Sequence, residues 1–457
     1  MSEKRRGPSE KPAALNHQEG RSAGRHALAV VVPDSPPPRM WVLAVLALSQ
    51  LMIVLDSTVV TIALPSAQKS LNFTDGDRQW VVTAYALAFG SLLLFCGRLT
   101  DLLGRRPTLM IGLVGFAAVS AVGGASSSFG MLVAARAVQG AFAALLAPSI
   151  LSLLTTTFSA AKERGRAFGV FGAVAGGGAA LGLLLGGFLT EYVSWRWCLF
   201  VNIIFAVLAL TGASLLIRKQ APTGGQHLDI PGVLTVSGGL FALVYGFSNA
   251  VQGRTSNWDD PYTIGFLVAA AVLLTAFVLI QTKVRHPLLP LHILTNRYRG
   301  PAFLALLLAG AGMLGALLFV TYYLQQTRGY SAVQTGMAFL PMVGCMVAVS
   351  ITGNVVLVRH VSPRILLPTG LMLGAVALVL LTRIGAESSY VGTLLLPLML
   401  FGVGLGLAFP TSINLATLQV NPQEAGVASA SVNTSQQVGG AVGTALLNTL
   451  AIQAGIS

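Results

Sequence analysis

Charge is scarce in this chain: Asp, Glu, Lys and Arg make up only 9% of its 457 residues, and just 15 of them are acidic. A soluble globular protein carries about 25%, so a soluble enzyme or binding module of this length is excluded. Cysteine is scarcer still. Cys96, Cys198 and Cys345 each sit in an apolar run with no paired spacing, which leaves no disulfide framework and no thiolate metal site. His227, His286, His292 and His360 fall at loop edges without ligand spacing. No nucleophile elbow, phosphate-binding loop or metal-ligand motif occurs. The sequence therefore supplies neither the residues of an enzyme nor a site for a metal or other cofactor.

What it does contain is apolar. Hydrophobic residues reach 54% and the mean hydropathy is +0.75, the composition of a polytopic membrane protein. A hydrocarbon core of about 30 Å needs roughly 20 apolar residues per helix. Such runs recur from Trp41 almost to the end and predict thirteen helices, near 41–63, 80–97, 108–126, 131–157, 166–190, 198–217, 230–250, 262–281, 300–324, 335–357, 364–383, 391–413 and 425–452. The fold class expected is all-α. The 51 glycines suit helices that approach closely in lipid, as at Gly172, Gly176, Gly182 and Gly186 with their near-fourfold spacing.

The cations set the orientation. With the amino end in the cytoplasm, 21 of the 28 Lys and Arg fall in the leading arm and the even-numbered connections and six fall outside, the remainder being Arg136. That asymmetry predicts a cytoplasmic amino terminus in a multi-pass plasma-membrane protein. The net charge of +13 is then a topology signal with anionic membrane lipid as its partner, and no nucleic acid is needed to account for it. Residues 1–39, polar and rich in Pro and Gly, read as a disordered cytoplasmic arm.

Chemistry is expected where charge lies at membrane depth, because an ionisable group there costs at least a few kcal/mol and persists only when paired or useful. Asp56 and Arg136 qualify. Counted along their predicted helices at 1.5 Å per residue, both fall roughly 10 Å below the outer surface, a depth that permits a pair. Either the pair is a fixed buried salt bridge, or the carboxylate binds and releases a proton while the arginine biases its affinity; the second reading is preferred. Ser49 and Met52 share a helix face with Asp56, and Gln139, Gly140 and Ala143 share one with Arg136. Asn433, Gln436, Gln437 and Gly440 form a third polar stripe, and Tyr322, Tyr323, Gln325 and Gln326 cluster at the end of the ninth span. Polar stripes in lipid-embedded helices imply water or protein beside them, so these groups are candidates for a substrate path or for interhelical hydrogen bonds.

The stretch Gly97-Arg98-Leu99-Thr100-Asp101-Leu102-Leu103-Gly104-Arg105-Arg106-Pro107 reads as a tight charged loop at the membrane surface, and it resembles the loop between helices two and three of major facilitator superfamily transporters. Leu55-Asp56-Ser57-Thr58-Val59-Val60-Thr61-Ile62-Ala63-Leu64-Pro65 is similar to the first-helix signature of the drug:proton antiporter branch with fourteen spans. Trp80-Val81-Val82-Thr83-Ala84-Tyr85 resembles the start of its second helix, and Arg136-Ala137-Val138-Gln139-Gly140 its fourth-helix arginine motif. Gly169, Gly178, Gly182, Gly186 and Gly187 match the antiporter motif of helix five; Trp195-Arg196-Trp197 and Asn202 match the beginning of helix six.

The resemblance implies a major facilitator fold of two pseudo-symmetric bundles that rock about a central cavity. Residues 40–218 would form the first bundle, 219–286 a two-helix insert, and 287–457 a second bundle of which the fourteenth helix of the family would be missing. Asp56 and Arg136 would couple protons to transport. Asp101, positioned by Arg105, would engage the amino end of the helix starting near Ala425, with Gly97, Gly104 and Arg106 completing the gating loop. Ser49, Met52, Tyr85, Gln139, Tyr323, Asn433 and Gln436 would line the substrate cavity. Departures from the family pattern are Leu183 in place of a proline, Thr61 where asparagine is common, Lys283 where an acid is frequent, and Leu357 in place of the aspartate of the repeated gating loop. The expected function is proton-driven export of an antibiotic-like or toxic lipophilic compound by a monomer without cofactors. A carrier for a specific metabolite or lipid, or a transport-inactive scaffold or sensor, are the alternatives.

Overall fold

A computed structural model describes residues 39–73, 75–218, 229–250, 258–285, 287–352, 361–385 and 388–453. The leading arm, most of the repeated gating loop with Leu357, and His227, His286 and His360 lie outside them. Every regular element among the described residues is helical, as hydrocarbon demands: no water is present there to satisfy a backbone N–H or C=O, and a helix satisfies its own.

The elements are α1 (Arg39–Leu71), α2 (Asp75–Leu103), α3 (Arg105–Gly124), α4 (Phe129–Thr157), α5 (Ala161–Tyr192), α6 (Trp197–Leu216), α7 (Ile230–Ala250), α8 (Pro261–Gln281), a single turn α9 (His292–Thr295), α10 (Gly300–Tyr322), α11 (Ala332–Thr352), α12 (Pro363–Leu381), α13 (Leu395–Ala416) and α14 (Ala425–Gln453). Among the described residues, twelve helices are long and apolar enough to cross a membrane. The thirteenth long helix, α14, is outside that set; its first half carries Ser429, Ser431, Asn433, Thr434, Ser435, Gln436 and Gln437.

Two expected boundaries are corrected. The helix predicted to end at residue 63 runs on through Pro65 to Leu71, since proline is tolerated where neighbouring groups re-satisfy the freed carbonyl. The Gly97–Pro107 stretch is not a loop: α2 continues to Leu103 and α3 begins at Arg105. Gly104 alone makes the break, at φ 92°, a backbone conformation open to glycine at no steric cost. Other helix starts carry side-chain caps, with Ser128 Oγ accepting from Met131 N and an Asp260 side-chain oxygen accepting from Thr263 N.

Helices α1 to α6 pack on one another chiefly through α2 with α4, α1 with α5 and α6, and α3 with α4 and α6. Helices α10 to α14 do so through α10 with α14, and α13 with α11 and α12. The two sets meet along α5 with α11 and along α14 with α2 and α4. Helix α7 lies against α2 and α14, and α8 packs on α7 as the least buried of the spans. Its Val268, Val272 and Leu279 are exposed, as are Leu215 of α6 and Met372 of α12, the surface expected of helices facing lipid.

Glycine sets the closest approaches. A Cβ on Gly140 of α4 would overlap the Tyr85 carbonyl of α2, whereas one on Gly130 of the same helix would meet nothing within 4 Å. Gly140→Ala is therefore expected to lower the thermal unfolding midpoint of the purified protein, because the clash is with backbone. Gly130→Ala should leave the midpoint unchanged or raise it slightly, since alanine is the better helix former by up to about 1 kcal/mol.

Candidate functional site

Five helices bring polar groups to one point inside the α1–α6 set. Asp56 of α1 is fully buried, and Arg136 of α4 is 1% exposed. Arg136 Nη1 donates to Asp56 Oδ2 at 2.7 Å and to Gln139 Oε1 at 2.5 Å. The other carboxylate oxygen, Oδ1, accepts from Gln139 Nε2 at 2.8 Å and from Asn202 Nδ2 of α6 at 2.7 Å. Gln139 Nε2 also donates to Ser120 Oγ of α3 at 2.8 Å, and Arg136 Nε reaches the Val81 carbonyl of α2 at 3.4 Å. The guanidinium carbon lies 4.4 Å from the centre of the Tyr85 ring, a cation–π contact.

Asp56 makes all of these contacts as an acceptor, the pattern a carboxylate anion requires. The fixed spacing of Arg136 and Gln139, three residues apart on α4, places guanidinium and amide on one face so that both address it. Two polar atoms of the cluster, Asn202 Oδ1 and Tyr85 Oη, are buried without a hydrogen-bond partner. One helical turn away, Val60, Val81, Leu132 and Leu199 line an apolar cavity of about 10 Å³, room for about one water. These four residues stand one turn from Asp56, Tyr85, Arg136 and Asn202 respectively, all toward the same end of the bundle.

The glycines of α5 divide among three neighbours, with Gly172 against Pro410 of α13. A Cβ on Gly178 would lie 2.9 Å from Val54 Cγ1, one on Gly182 would overlap Thr58 Oγ1, and one on Gly186 would lie 3.0 Å from Val59 Cα, so this face takes α1 beside Asp56. Gly169 and Gly187 instead face Ser350 and Val333 of α11. Helix α5 is continuous through Leu183.

At the arginine-rich end, Asp101 Oδ1 accepts from Gly426 N at 2.9 Å and Oδ2 from Val427 N at 3.2 Å. These are amides of the first turn of α14, which carry partial positive charge. Gly97 allows the contact: a Cβ there would lie 2.5 Å from Ala430 Cβ and 2.8 Å from the Gly426 carbonyl. Arg105 donates from Nε to Ser152 Oγ at 2.8 Å, and its charge acts on Asp101. Arg106 Nη2 donates to the Ser214 carbonyl of α6 at 3.0 Å.

The residues expected along a substrate path are distributed. Tyr85 and Gln139 belong to the Asp56 cluster. Ser49 Oγ donates to the Val45 carbonyl of its own helix, and Met52 is fully buried. Tyr323 Oη donates to the carbonyls of Gly385 and Ser388 at 3.0 and 3.3 Å from a π-helical turn. Asn433 Nδ2 donates to the Ser429 carbonyl, and the Gln436 backbone faces Gly310 of α10. The side chains of Tyr322 and Gln326 are outside the described residues. Sequence reasoning assigned no role to Asn202 or Ser120; each is an isolated polar residue in an apolar helix, a signal that marks burial against a partner.

The family model described as "Major Facilitator Superfamily" matches residues 46–444. The chain is 48% identical over 421 residues to the puromycin resistance protein pur8 of Streptomyces alboniger, covering 92% of this chain and 82% of that one. To the cephamycin export protein CmcT of Amycolatopsis lactamdurans it is 38% identical, over 87% of this chain and 82% of the other. Among solved structures, the human organic anion transporter MFSD10 (TETRAN) superposes with a TM-score of 0.64 at 18% identity, across 92% of this chain and 95% of that one; this is a likeness of fold.

Removing one partner of a buried ion pair leaves the other charge uncompensated, at about 3–5 kcal/mol. Arg136→Gln should accordingly destabilise the purified protein by about that amount in denaturant unfolding, and adding Asp56→Asn in the same chain should restore most of the loss. Equal stability of the single variant and the parent would show that the pair contributes nothing.

Proposed function

The chain belongs to the Major Facilitator Superfamily, and from that premise we propose that it exports an antibiotic-like or toxic lipophilic small molecule in exchange for protons by alternating access. It is a multi-pass membrane transporter and not an enzyme. The observation that carries the proton-coupled reading is the carboxylate of Asp56, wholly buried and shared among Arg136, Gln139 and Asn202. A proton arriving on that carboxylate cancels one charge of a closely paired set and turns one acceptor oxygen into a donor. Arg136 then loses its counter-ion, and the five helices that meet there gain a reason to rearrange. Loss of the proton restores the arrangement described.

In this reading the amino terminus is cytoplasmic, residues 40–218 and 287–457 form the two moving bundles, and residues 219–286 form a peripheral insert. The grip of Asp101 on the first turn of α14 latches the cytoplasmic side. Arg105 and Arg106 anchor the α2–α3 turn to α4 and α6, so that Asp101 moves with the first bundle. The glycines of α5 carry displacement of α1 toward α11. Ser49, Met52, Tyr85, Gln139, Tyr323, Asn433 and Gln436 are assigned to the substrate path, which opens as the bundles separate. The substrate class follows from the relatives, whose names refer to puromycin, cephamycin and tetracenomycin C, and from a membrane interior that offers one acid for coupling. Protons and anionic lipid are the remaining partners, and the transporting unit is a monomer.

The deciding measurement is dye or puromycin accumulation in inverted membrane vesicles under an imposed proton gradient. The parent chain should accumulate the compound while the gradient lasts, and Asp56→Asn should fall to the level of vesicles lacking the protein. Equal accumulation by both would remove Asp56 from the mechanism. No accumulation by the parent for any compound of an antibiotic panel, with unchanged antibiotic sensitivity of an efflux-deficient host, would reject drug export.

A further inference from the structure

The turn that joins α13 to α14 is held at both of its helix ends by the first half of the chain, and Asp101 accounts for only one of them. Arg164 accounts for the other. Its Nε donates to Asn414 Oδ1 at 2.7 Å, and its Nη2 donates to Thr417 Oγ1 at 2.9 Å and to the Asn414 carbonyl at 3.5 Å. Asn414 lies in the last turn of α13 and Thr417 is its C-cap. Here the terminal carbonyls are without intrahelical partners and carry partial negative charge.

The placement of Arg164 in its own helix makes the point sharper. It occupies the first turn of α5, where the macrodipole favours acids such as the neighbouring Glu163 and disfavours cations. Among the described residues the hydrogen-bond partners of its guanidinium are neutral groups of α13 and its cap, and the guanidinium lies 5.0 Å from the Phe168 ring. A cation in an unfavourable position on one helix is thus matched to the favourable end of another. The second half supplies a separate cap of its own: Arg299 donates from Nε to the Leu418 carbonyl at 3.2 Å and from Nη2 to the Gln419 carbonyl at 2.9 Å. Gln419 has the left-handed backbone, φ 53°, that ends the helix.

We propose that Arg164 is a second positioning residue of the cytoplasmic gate, holding the negative end of α13 while Asp101 holds the positive end of α14, so that both must let go before the cavity opens inward. The inference rests on the alternating-access reading given above. It also meets the loss of symmetry in the sequence: with Leu357 where the repeated gating loop would carry an acid, the first half supplies both charges of the clamp, an anion for one helix end and a cation for the other.

The test reads the gate directly. Spin labels at the exposed positions Ser159, in the α4–α5 link, and Asn421, in the α13–α14 turn, report their separation in lipid nanodiscs after Cys96, Cys198 and Cys345 are replaced by alanine. Arg164→Gln is expected to shift the distance distribution toward the longer, inward-open component, Arg164→Lys to shift it less, and the double variant with Asp101→Asn to shift it further than either change alone. Thr417→Val, which removes an acceptor from the other side of the same bond, should move it in the same direction and covers the case in which Arg164 variants fail to fold. Arg299→Gln, which weakens the turn within its own half, should leave the separation unchanged. A distribution unmoved by both Arg164→Gln and Thr417→Val, while Asp101→Asn opens it, overturns the role of Arg164 alone. A distribution unmoved by Asp101→Asn as well overturns the gate itself.

Discussion

A carboxylate and a guanidinium buried together in a lipid-embedded bundle constrain everything around them. Transfer of either ion alone from water into a low-dielectric interior is penalised by several kcal/mol even after relaxation, so neither can be moved away from the other without a substitute charge. Asp56 and Arg136 are held 2.7 Å apart on α1 and α4, and Gln139, Asn202 and Ser120 extend the same hydrogen-bonded set to α6 and α3. With the Val81 carbonyl and the Tyr85 ring of α2 also on Arg136, the packing of α1, α2, α3, α4 and α6 is tied to one electrostatic balance, so a change in the charge of that set bears on all five helices together.

Much of this is legible in the sequence. In a sequence with 15 acids, a lone aspartate inside an apolar run is conspicuous, and counting residues from predicted helix ends put Arg136 at its level. That the two side chains touch, and through which oxygen, depends on the rotation of α1 and α4 about their axes, which residue counting does not fix. Helix ends were less legible for a related reason. Pro65 and Gly104 are ordinary breaking signals, but in a bundle the groups freed by a proline are satisfied by neighbours, and a single glycine at φ 92° can turn the chain between two helices without a loop.

Asn202 and Arg164 show where one-dimensional reading stops. Asn202 matched a family pattern yet had no assigned partner, since an amide on a membrane helix serves equally well in helix packing or in a polar site until its neighbour is known. Arg164 counts in the sequence as one more cation of a connection expected on the cytoplasmic side, a count that is silent about its direction. Only the juxtaposition of the α5 start with the α13 end, 250 residues further along the chain, turns a topology signal into an interaction.

Helix α5 joins the buried acid to the second half of the chain. One of its faces is cut back by Gly178, Gly182 and Gly186 to receive α1, and another by Gly169 and Gly187 to receive α11. Gly186 and Gly169 meet backbone of α1 and α11, and Gly178, Gly182 and Gly187 meet the short side chains of Val54, Thr58 and Val333, so little flexible side chain lies between these helices to absorb a displacement. The same helix carries Arg164 at its start, bonded to α13. Helix α5 thus touches the helix of the buried acid along its length and the second half both along α11 and at its own first turn. With leucine at position 183, in place of the proline that the family pattern would put there, α5 keeps its backbone ladder unbroken between the end near Arg164 and the stretch beside Asp56, where a proline is a common cause of a kink.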